Sequence, residues 1–545
     1  VPKTSPTVRE LADRHALRLR RDPAAGRPAD GDQAPAGGES VPVTGVSLDS
    51  RRVGPGVLYA ALPGASTHGA RFADQAVGAG SVALLTDPEG ATLAEQVLRA
   101  AQQPVPPVLV HDDPRQALGP VCADVYGHPS HELALVGVTG TNGKTTVSTL
   151  LDDVLRALGV RTGLVGTIRS RIGEQALASS FTTPEAPDLQ HLLRRMADAG
   201  CRAVSAEVSS HALAQHRVDG TRFALVVFTN LSRDHLDFHG TLADYFAAKL
   251  RLFTGGFAER AVVGVDDGWG RSVAAAARDA GLAVLTVGAP GTGADVMVAV
   301  SGVEPSGHQQ VVVTGPFGPA GVAVTLQLRL GMPGGFNATN AALAICAVHL
   351  LLDAPSGGTP VLDRTVDVAE VVRAVAGVTG VPGRMERVVL PDREDLPLVV
   401  VDYAHTPDAV AGAIAALRAA TPGRLVVVLG AGGDRDTGKR QGMGEAASAA
   451  DLVVVTDDNP RTEDPAAIRA AVRAGVGAPV LEVGDRAEAV AAALAACSGP
   501  EDTVLLAGKG HETGQSARGT TTPFDDRDVA REALAAWTRT AGGDA

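Results

Sequence analysis

The segment Leu133–Thr146, LALVGVTGTNGKTT, constrains this chain more than any other. A short apolar run, Leu133–Val138, leads into Gly140, Thr141, Asn142, Gly143, Lys144, Thr145 and Thr146. The run reads as a buried strand, and the glycine-rich turn places a lysine and two hydroxyls where a helix over Val147–Leu158 begins. In such a turn the backbone N–H groups point inward and the helix N-terminus is partly positive. Lys144 adds a full charge, and Thr145 can ligate Mg²⁺. The turn is therefore expected to cradle the phosphates of ATP or GTP. The strict loop G-x-x-x-x-G-K-[ST] would put its first glycine at Val138, so this turn starts instead at Gly140.

Hydrophobic residues make up 45% of the 545 and aromatic residues only 3%, so the cores must be built from Ala, Val and Leu. A chain of this length is expected to hold about three or four domains. Its charges are dispersed and sum to −13, which argues against non-specific nucleic-acid binding, where a basic stripe is needed. Four cysteines (Cys122, Cys201, Cys346, Cys497) lack C-x-x-C spacing and read as small core residues in a reducing compartment. Residues 1–23 carry charges throughout, so no signal peptide is expected. The longest apolar run, Ala341–Leu352, contains His349 and reads as too short to span a bilayer. The expectation is a soluble cytoplasmic protein without a membrane or nucleic-acid partner.

Residues 22–42 are rich in Pro, Gly and Ala and read as a flexible insertion or loop. Strands are expected at Val57–Leu62, Val82–Thr86 and Val108–His111, with a helix at Ala91–Gln102 and a boundary near 112. Strand and helix then alternate, with a helix at Asp188–Ala199 and strands at Ala203–Val208, Ala224–Thr229, Ala261–Val265 and Val284–Val287. A strand-rich stretch follows over 294–330. A third unit starts near Val381, with strands Leu398–Val401, Leu425–Leu429, Leu452–Thr456, Val480–Val483 and Thr503–Ala507 between Ala-rich helices. This alternation predicts an α/β fold of mostly parallel sheets covered by helices. Ligands of such sheets bind in loops at the carboxyl ends of strands, here 402–408, 430–440, 457–464 and 508–512.

The helix expected over Thr241–Phe253 carries an oddity. Its apolar stripe is Leu242, Tyr245, Phe246, Leu250 and Phe253, and Lys249 lies on it. A lysine on a buried face must snorkel, pair, lose its charge or be modified. Before the helix, His235, Asp237 and His239 fall within five residues after a strand. They permit a zinc reading without an H-E-x-x-H frame, or a Mg²⁺ site beside ATP. Glu207, at the carboxyl end of another strand, stands where a metal-bridging carboxylate belongs if that strand lies near the phosphate loop. In the last unit Arg435, Lys439 and Arg440 share a glycine-rich loop. Asp458-Asn459-Pro460-Arg461 puts an anion and a cation on one stiff turn, a pair suited to a zwitterionic amino acid.

In this order the motifs resemble those of the Mur ligase family. They run from Asp49-Ser50-Arg51 and Pro55-Gly56 through GTNGKTT, Thr182-Thr183-Pro184, EVSSHAL, Gln215-His216-Arg217, NLSRDHLDFHG and Lys249. They continue through Asn337–Asn340, Pro382–Glu386, Asp402–Asp408, GGDRDTGKR, DNPR and Gly508–Glu512, so the resemblance spans Ser47 to Arg527. It implies three domains: 1–112 binding the UDP end of a substrate, 113–381 binding ATP, and a Rossmann-like 382–545 binding an amino acid. It implies that Leu48, Ser50, Thr182, Thr183, Ser209, Gln215 and Arg217 hold UDP-N-acetylmuramoyl-L-Ala-D-Glu. Asn340 and Arg384 would lie near the nucleotide, with Lys144, Lys249, Glu207 and His235 as the catalytic set. Lys249 would be carboxylated to a carbamate, and Thr145, Glu207, His235 and that carbamate would serve Mg²⁺.

The DNPR loop is similar to that of diaminopimelate-adding members. There Arg435, Asp458, Asn459, Pro460, Arg461, Gly508 and Glu512 would read the amino acid. Diaminopimelate has a distal carboxylate that lysine lacks, and an arginine discriminates on that group. The chain departs from the family pattern at 22–42 and at Ala65–His68. The resemblance further implies an acyl-phosphate intermediate, domain closure and a monomer. Alternatives are a lysine-adding member, a folylpolyglutamate-synthetase-like ligase or a regulatory P-loop NTPase.

Overall fold

The computed structural model describes residues 5–20, 38–177, 181–353, 361–391, 393, 395–434 and 436–538. Most of the Pro/Gly/Ala-rich stretch at 22–42 lies outside the described residues, as does Arg435.

Three large sheets organise the described residues, beside a two-stranded antiparallel ribbon of Gly514–Ala517 and Thr520–Pro523. The first has five strands in the order Arg18–Arg20, Val108–Val110, Ala83–Thr86, Val57–Ala60 and Gly45–Ser47, parallel except for the first. The second has eleven strands. At its centre Ala134–Thr139 lies between Leu225–Phe228 and Ala203–Glu207, all parallel. Arg260–Gly264 and Ala283–Gly288 extend one side before an antiparallel set, Val296–Val303, Gln309–Gly315 and Val324–Leu330. The third sheet has six strands, with Thr503–Ala507 between Leu398–Asp402 and Leu425–Leu429 and then Leu452–Val455 and Val480–Glu482, all parallel. Glu386–Val388 adds an antiparallel edge.

The central strands are continuous Val/Leu/Ala runs because helices cover both their faces. Ala134–Thr139, Leu225–Phe228 and Leu425–Leu429 are buried at every residue.

The helix Gly335–Asp353 is longer than the apolar run that flagged it. At 19 residues it meets the length and composition of a membrane span, which corrects the expectation that this run is too short. Most of it is buried against the helix Lys144–Ala157 and the sheet, so its apolarity is that of a core helix.

Candidate active site

The phosphate-loop helix begins at Lys144, earlier than its apolar periodicity, because Gly143 caps it in the left-handed region at φ 86°. The loop is tightly enclosed. A Cβ at Gly143 would come within 2.6 Å of Asn340 Oδ1, and one at Gly140 within 1.9 Å of Thr229 Oγ1. Asn340 is buried and donates to Asn337 Oδ1 at 3.1 Å, so the core helix braces the loop. Lys144 Nζ donates to the carbonyls of Gly140 (2.9 Å) and Thr141 (2.8 Å). Burial lowers its pKa, against the pull of Glu207 and Asp234.

Glu207 ends the strand beside the phosphate-loop strand, in register with Val138, so the condition set in the sequence, that this strand lie near the phosphate loop, is met. The residue is 1% exposed. Oε2 accepts from Thr145 Oγ1 at 2.9 Å and Thr167 Oγ1 at 3.0 Å, and Oε1 from Thr167 N at 2.8 Å. Thr167, which the sequence did not single out, also bonds Thr182 at 3.0 Å. Glu207 has no ion-pair partner among the described residues. A buried carboxylate among hydroxyls suits a hard divalent cation.

The helix Leu242–Thr254 is capped by Thr241 Oγ1, which accepts from Asp244 N at 3.1 Å. Asp244 bonds the Thr241 hydroxyl rather than its N–H, so the capping box is half formed. Lys249 is buried and does not snorkel. Its Nζ donates to Gly140 O at 2.7 Å and lies 4.4 Å from the Tyr245 ring centroid. Burial, and next the charge of Lys144, push its pKa well below the usual lysine range.

His235, in the left-handed region at φ 54°, turns its ring edge-on to His211, 4.8 Å between centroids. His239 bonds Ser210 Oγ at 3.0 Å. Burial lowers the pKa of all three imidazoles. Among the described residues no three His, Cys, Asp or Glu side chains converge as a ready metal-binding group, which leaves the zinc reading of His235, Asp237 and His239 without a ligand set.

Thr183, Ser209, Gln215 and Arg217 come together beside Glu207. Thr183 Oγ1 donates to Glu207 O at 2.8 Å and accepts from Ser209 N at 3.0 Å. Arg217 donates to Thr183 O at 3.0 Å and to Gln215 Oε1, and it pairs with Glu185 at 2.9 Å. Leu48 lines a cavity of about 320 Å³ with Asp49, Arg52, Tyr126, Glu185, Asp188 and His191, where the first sheet's unit meets the second, and Glu185 links this cavity to Arg217. Ser50 turns away from that cavity to Gln75 at 2.8 Å.

Three neighbouring strands of the third sheet deliver the loops that begin at Gly430, Thr456 and Gly508. Asp458 and Asn459 are buried, and Asn459 Nδ2 donates to Asp458 Oδ1 at 2.9 Å and Glu512 Oε2 at 2.8 Å. Gly508 sits at φ 111°, and a Cβ there would meet Asp458 Oδ2 at 2.5 Å, so both the backbone and the close approach require glycine. Arg461 is left-handed at φ 53°. It is held by N–H to Ser516 O at 2.9 Å and by Arg518 N–H to its own carbonyl at 2.6 Å. Pro460 precedes this strained residue and stiffens the turn. Arg384 lies 4.5 Å over the Tyr403 ring, and its charge reaches Lys144 while that of Asp234 reaches His405. The third unit thus faces the phosphate loop.

Comparison with known proteins matches this geometry along the chain. Residues 42–126 match the Mur ligase family catalytic domain, 138–348 the Mur ligase middle domain and 383–510 the Mur ligase glutamate ligase domain. The chain belongs to the Mur ligase family. This Mur ligase is 46% identical, over 92% of its length and 94% of the relative's, to UDP-N-acetylmuramoyl-L-alanyl-D-glutamate–2,6-diaminopimelate ligase of Streptomyces coelicolor. It is 45% identical to the protein of the same name from Corynebacterium glutamicum, over 93% and 94% of the two chains. A solved structure of a ligase of that name superposes with a TM-score of 0.66 at 31% identity, covering 98% of this Mur ligase and 99% of the other chain. A Mycobacterium tuberculosis folylpolyglutamate synthase shares the fold at TM-score 0.55 and 22% identity. It covers 72% of this Mur ligase and 92% of its own chain.

Proposed function

We propose that this Mur ligase joins diaminopimelate to UDP-N-acetylmuramoyl-L-Ala-D-Glu in an ATP-dependent reaction of cytoplasmic peptidoglycan precursor synthesis. The observation that carries the reading is the meeting of the Asp458–Arg461 turn with Glu512, on a unit that faces the phosphate loop. Identity to ligases of that name over more than nine-tenths of the chain supports it. The division of labour is 1–112 for the UDP end, 113–381 for ATP and 382–545 for the amino acid, acting as a monomer.

The γ-phosphoryl group of ATP passes to the free side-chain carboxylate of D-Glu, ADP leaves with the electron pair of the broken P–O bond, and the acyl phosphate forms. Lys144 offsets charge on the transferring group, as cations do in other phosphoryl transfers. The diaminopimelate amine attacks the acyl carbon and phosphate leaves with its bonding pair. Thr145 and Glu207 would hold Mg²⁺ with His235 and a Lys249 carbamate. When bound, the ion neutralises phosphate charge. Arg461 pairs with the distal carboxylate, while Asp458 and Glu512 receive the ammonium group at the same end. The acyl phosphate hydrolyses in water, so the third unit closes over the second.

Phosphate release with UDP-N-acetylmuramoyl-L-Ala-D-Glu, offering meso-diaminopimelate, LL-diaminopimelate and L-lysine separately, tests this. Release that needs the dipeptide and one diaminopimelate isomer is expected. Release with lysine alone would sink the assignment, and release without an amino acid would favour a regulatory NTPase.

A further inference from the structure

Every hydrogen-bonding position of the Asn459 amide is taken by the protein. An asparagine side chain offers two donors and two acceptor sites. Nδ2 donates to Asp458 Oδ1 at 2.9 Å and Glu512 Oε2 at 2.8 Å. Oδ1 accepts from Ser516 N at 2.9 Å and from Lys509 Nζ at 3.3 Å. The family resemblance puts Asn459 on the substrate, yet no position is left for one.

Lys509 is the unassigned member of this network. It is 0% exposed. Its Nζ also donates to Gly514 O at 2.7 Å and lies 3.5 Å from Glu512 Oε2, so its three protons face three acceptors. Two carboxylates tied to one amide repel each other, and a buried cation behind that amide offsets the repulsion. Arg486, which is paired with Asp526, also acts on Asp458 and Glu512. Counting Asp458, Glu512 and Asp526 against Lys509 and Arg486 leaves one negative charge, the complement of one ammonium group.

We propose that Lys509 is a positioning residue for the amino-acid substrate. Through the Asn459 amide it fixes the Asp458 and Glu512 carboxylates that receive the substrate's ammonium group, and Asn459 itself does not touch the substrate. The inference rests on the amino-acid site assigned above, and does not depend on which amino acid enters it.

Lys509→Met removes the cation and keeps the stem. At saturating ATP and UDP-dipeptide, the KM for diaminopimelate should rise about tenfold or more, because Asn459 Oδ1, Gly514 O and Glu512 Oε2 each lose a donor. The KM for ATP and for UDP-dipeptide should stay within about twofold, and kcat should change far less than KM. Asn459→Leu should give the same rise, and the double variant no more than either alone, since the pair acts as one unit. Substrate contact by Asn459 predicts the opposite: a larger effect for Asn459→Leu, additive with Lys509→Met.

Should Lys509→Met fail to fold, Lys509→Gln keeps a donor for Gly514 O without the charge and is measured in the same way. Should both fail, a folded Asn459→Leu with lowered kcat and unchanged KM would overturn the proposal, as would an unchanged amino-acid KM in either lysine variant. A wild type that takes lysine instead refutes only the diaminopimelate assignment. The same variants are then assayed with lysine, whose ammonium meets the same carboxylates.

Discussion

Lys249 donates a 2.7 Å hydrogen bond from Nζ to the carbonyl oxygen of Gly140, tying a buried lysine to the first residue of the phosphate loop. Burial and the neighbouring Lys144 hold its pKa well down, so the amine is neutral at a pH where an ordinary lysine is charged. A neutral amine is able to attack CO₂ and lose one proton, and on the proposed reading Lys249 would become a carbamate anion in this way. Lys249→Ala should therefore lower ligase activity by about 10²–10³-fold, the scale of losing one electrostatic contact to the transferring group. A small carboxylate such as propionate should restore part of it, and a carbamate resonance should appear in the wild type fed ¹³C-bicarbonate. No resonance and no rescue would count against modification. Acidification should lower wild-type activity, because it reprotonates the amine.

Arg461, proposed above to meet the distal carboxylate, has a backbone that most residues avoid. Its left-handed φ of 53° costs about 1–2 kcal/mol, held by hydrogen bonds on both sides to the Gly514–Pro523 ribbon. Arg461→Met should reduce kcat/KM for diaminopimelate by about 10²-fold or more and shrink the preference over lysine, since a buried carboxylate would lose its partner. The unfolding midpoint should hold. A variant that still prefers diaminopimelate by the wild-type ratio would move the carboxylate contact elsewhere.

The site was legible where a polar residue interrupts a strong local pattern. Glu207 closes an apolar strand, Lys249 breaks an apolar stripe and GTNGKTT follows a buried run, so each declared itself without the fold. Thr167 and Lys509 did not. One is a lone hydroxyl after Gly166, and the other sits among glycines, so neither disturbs a periodicity. Arg486 follows Asp485 and precedes Glu488, which reads as an ordinary solvated helix start, and only tertiary packing buries it. Helix starts were misplaced for a related reason. The helix at 144 is set by the backbone of Gly143, which apolar spacing does not record.

His511 should make the protein sensitive to acid. Burial, then the charges of Arg384 and Arg527, lower its pKa to about 4, and its Nδ1 has no partner among the described residues. The unfolded chain takes up this proton below its ordinary pKa of 6.5, and the folded chain only near 4. Stability is therefore lost as pH falls through that window, by up to roughly 3 kcal/mol, and this residue adds no further loss below it. In His511→Gln the fall of the unfolding midpoint across that window should be shallower. It should not vanish, because His405, His211, His235 and His239 are lowered too. An unchanged slope would mean that His511 is solvated.

Arg486 and Asp526 form a bidentate pair at 2.8 and 2.7 Å with both side chains fully buried. Arg486 also donates to Ala507 O at 3.0 Å, which anchors the strand end just before Gly508, while its second terminal nitrogen has no partner among the described residues. Asp526→Asn leaves a buried guanidinium uncompensated and should cost roughly 3–5 kcal/mol. The double variant Arg486→Met/Asp526→Leu removes both charges and should cost less, because burying this pair carries its own desolvation penalty. Urea unfolding of the single and double variants separates the two. If the double variant is the less stable, the pair contributes net stability and the Arg486 tie to Ala507 is its source. If it is the more stable, a raised amino-acid KM would show that the pair's contribution lies in where it holds Gly508.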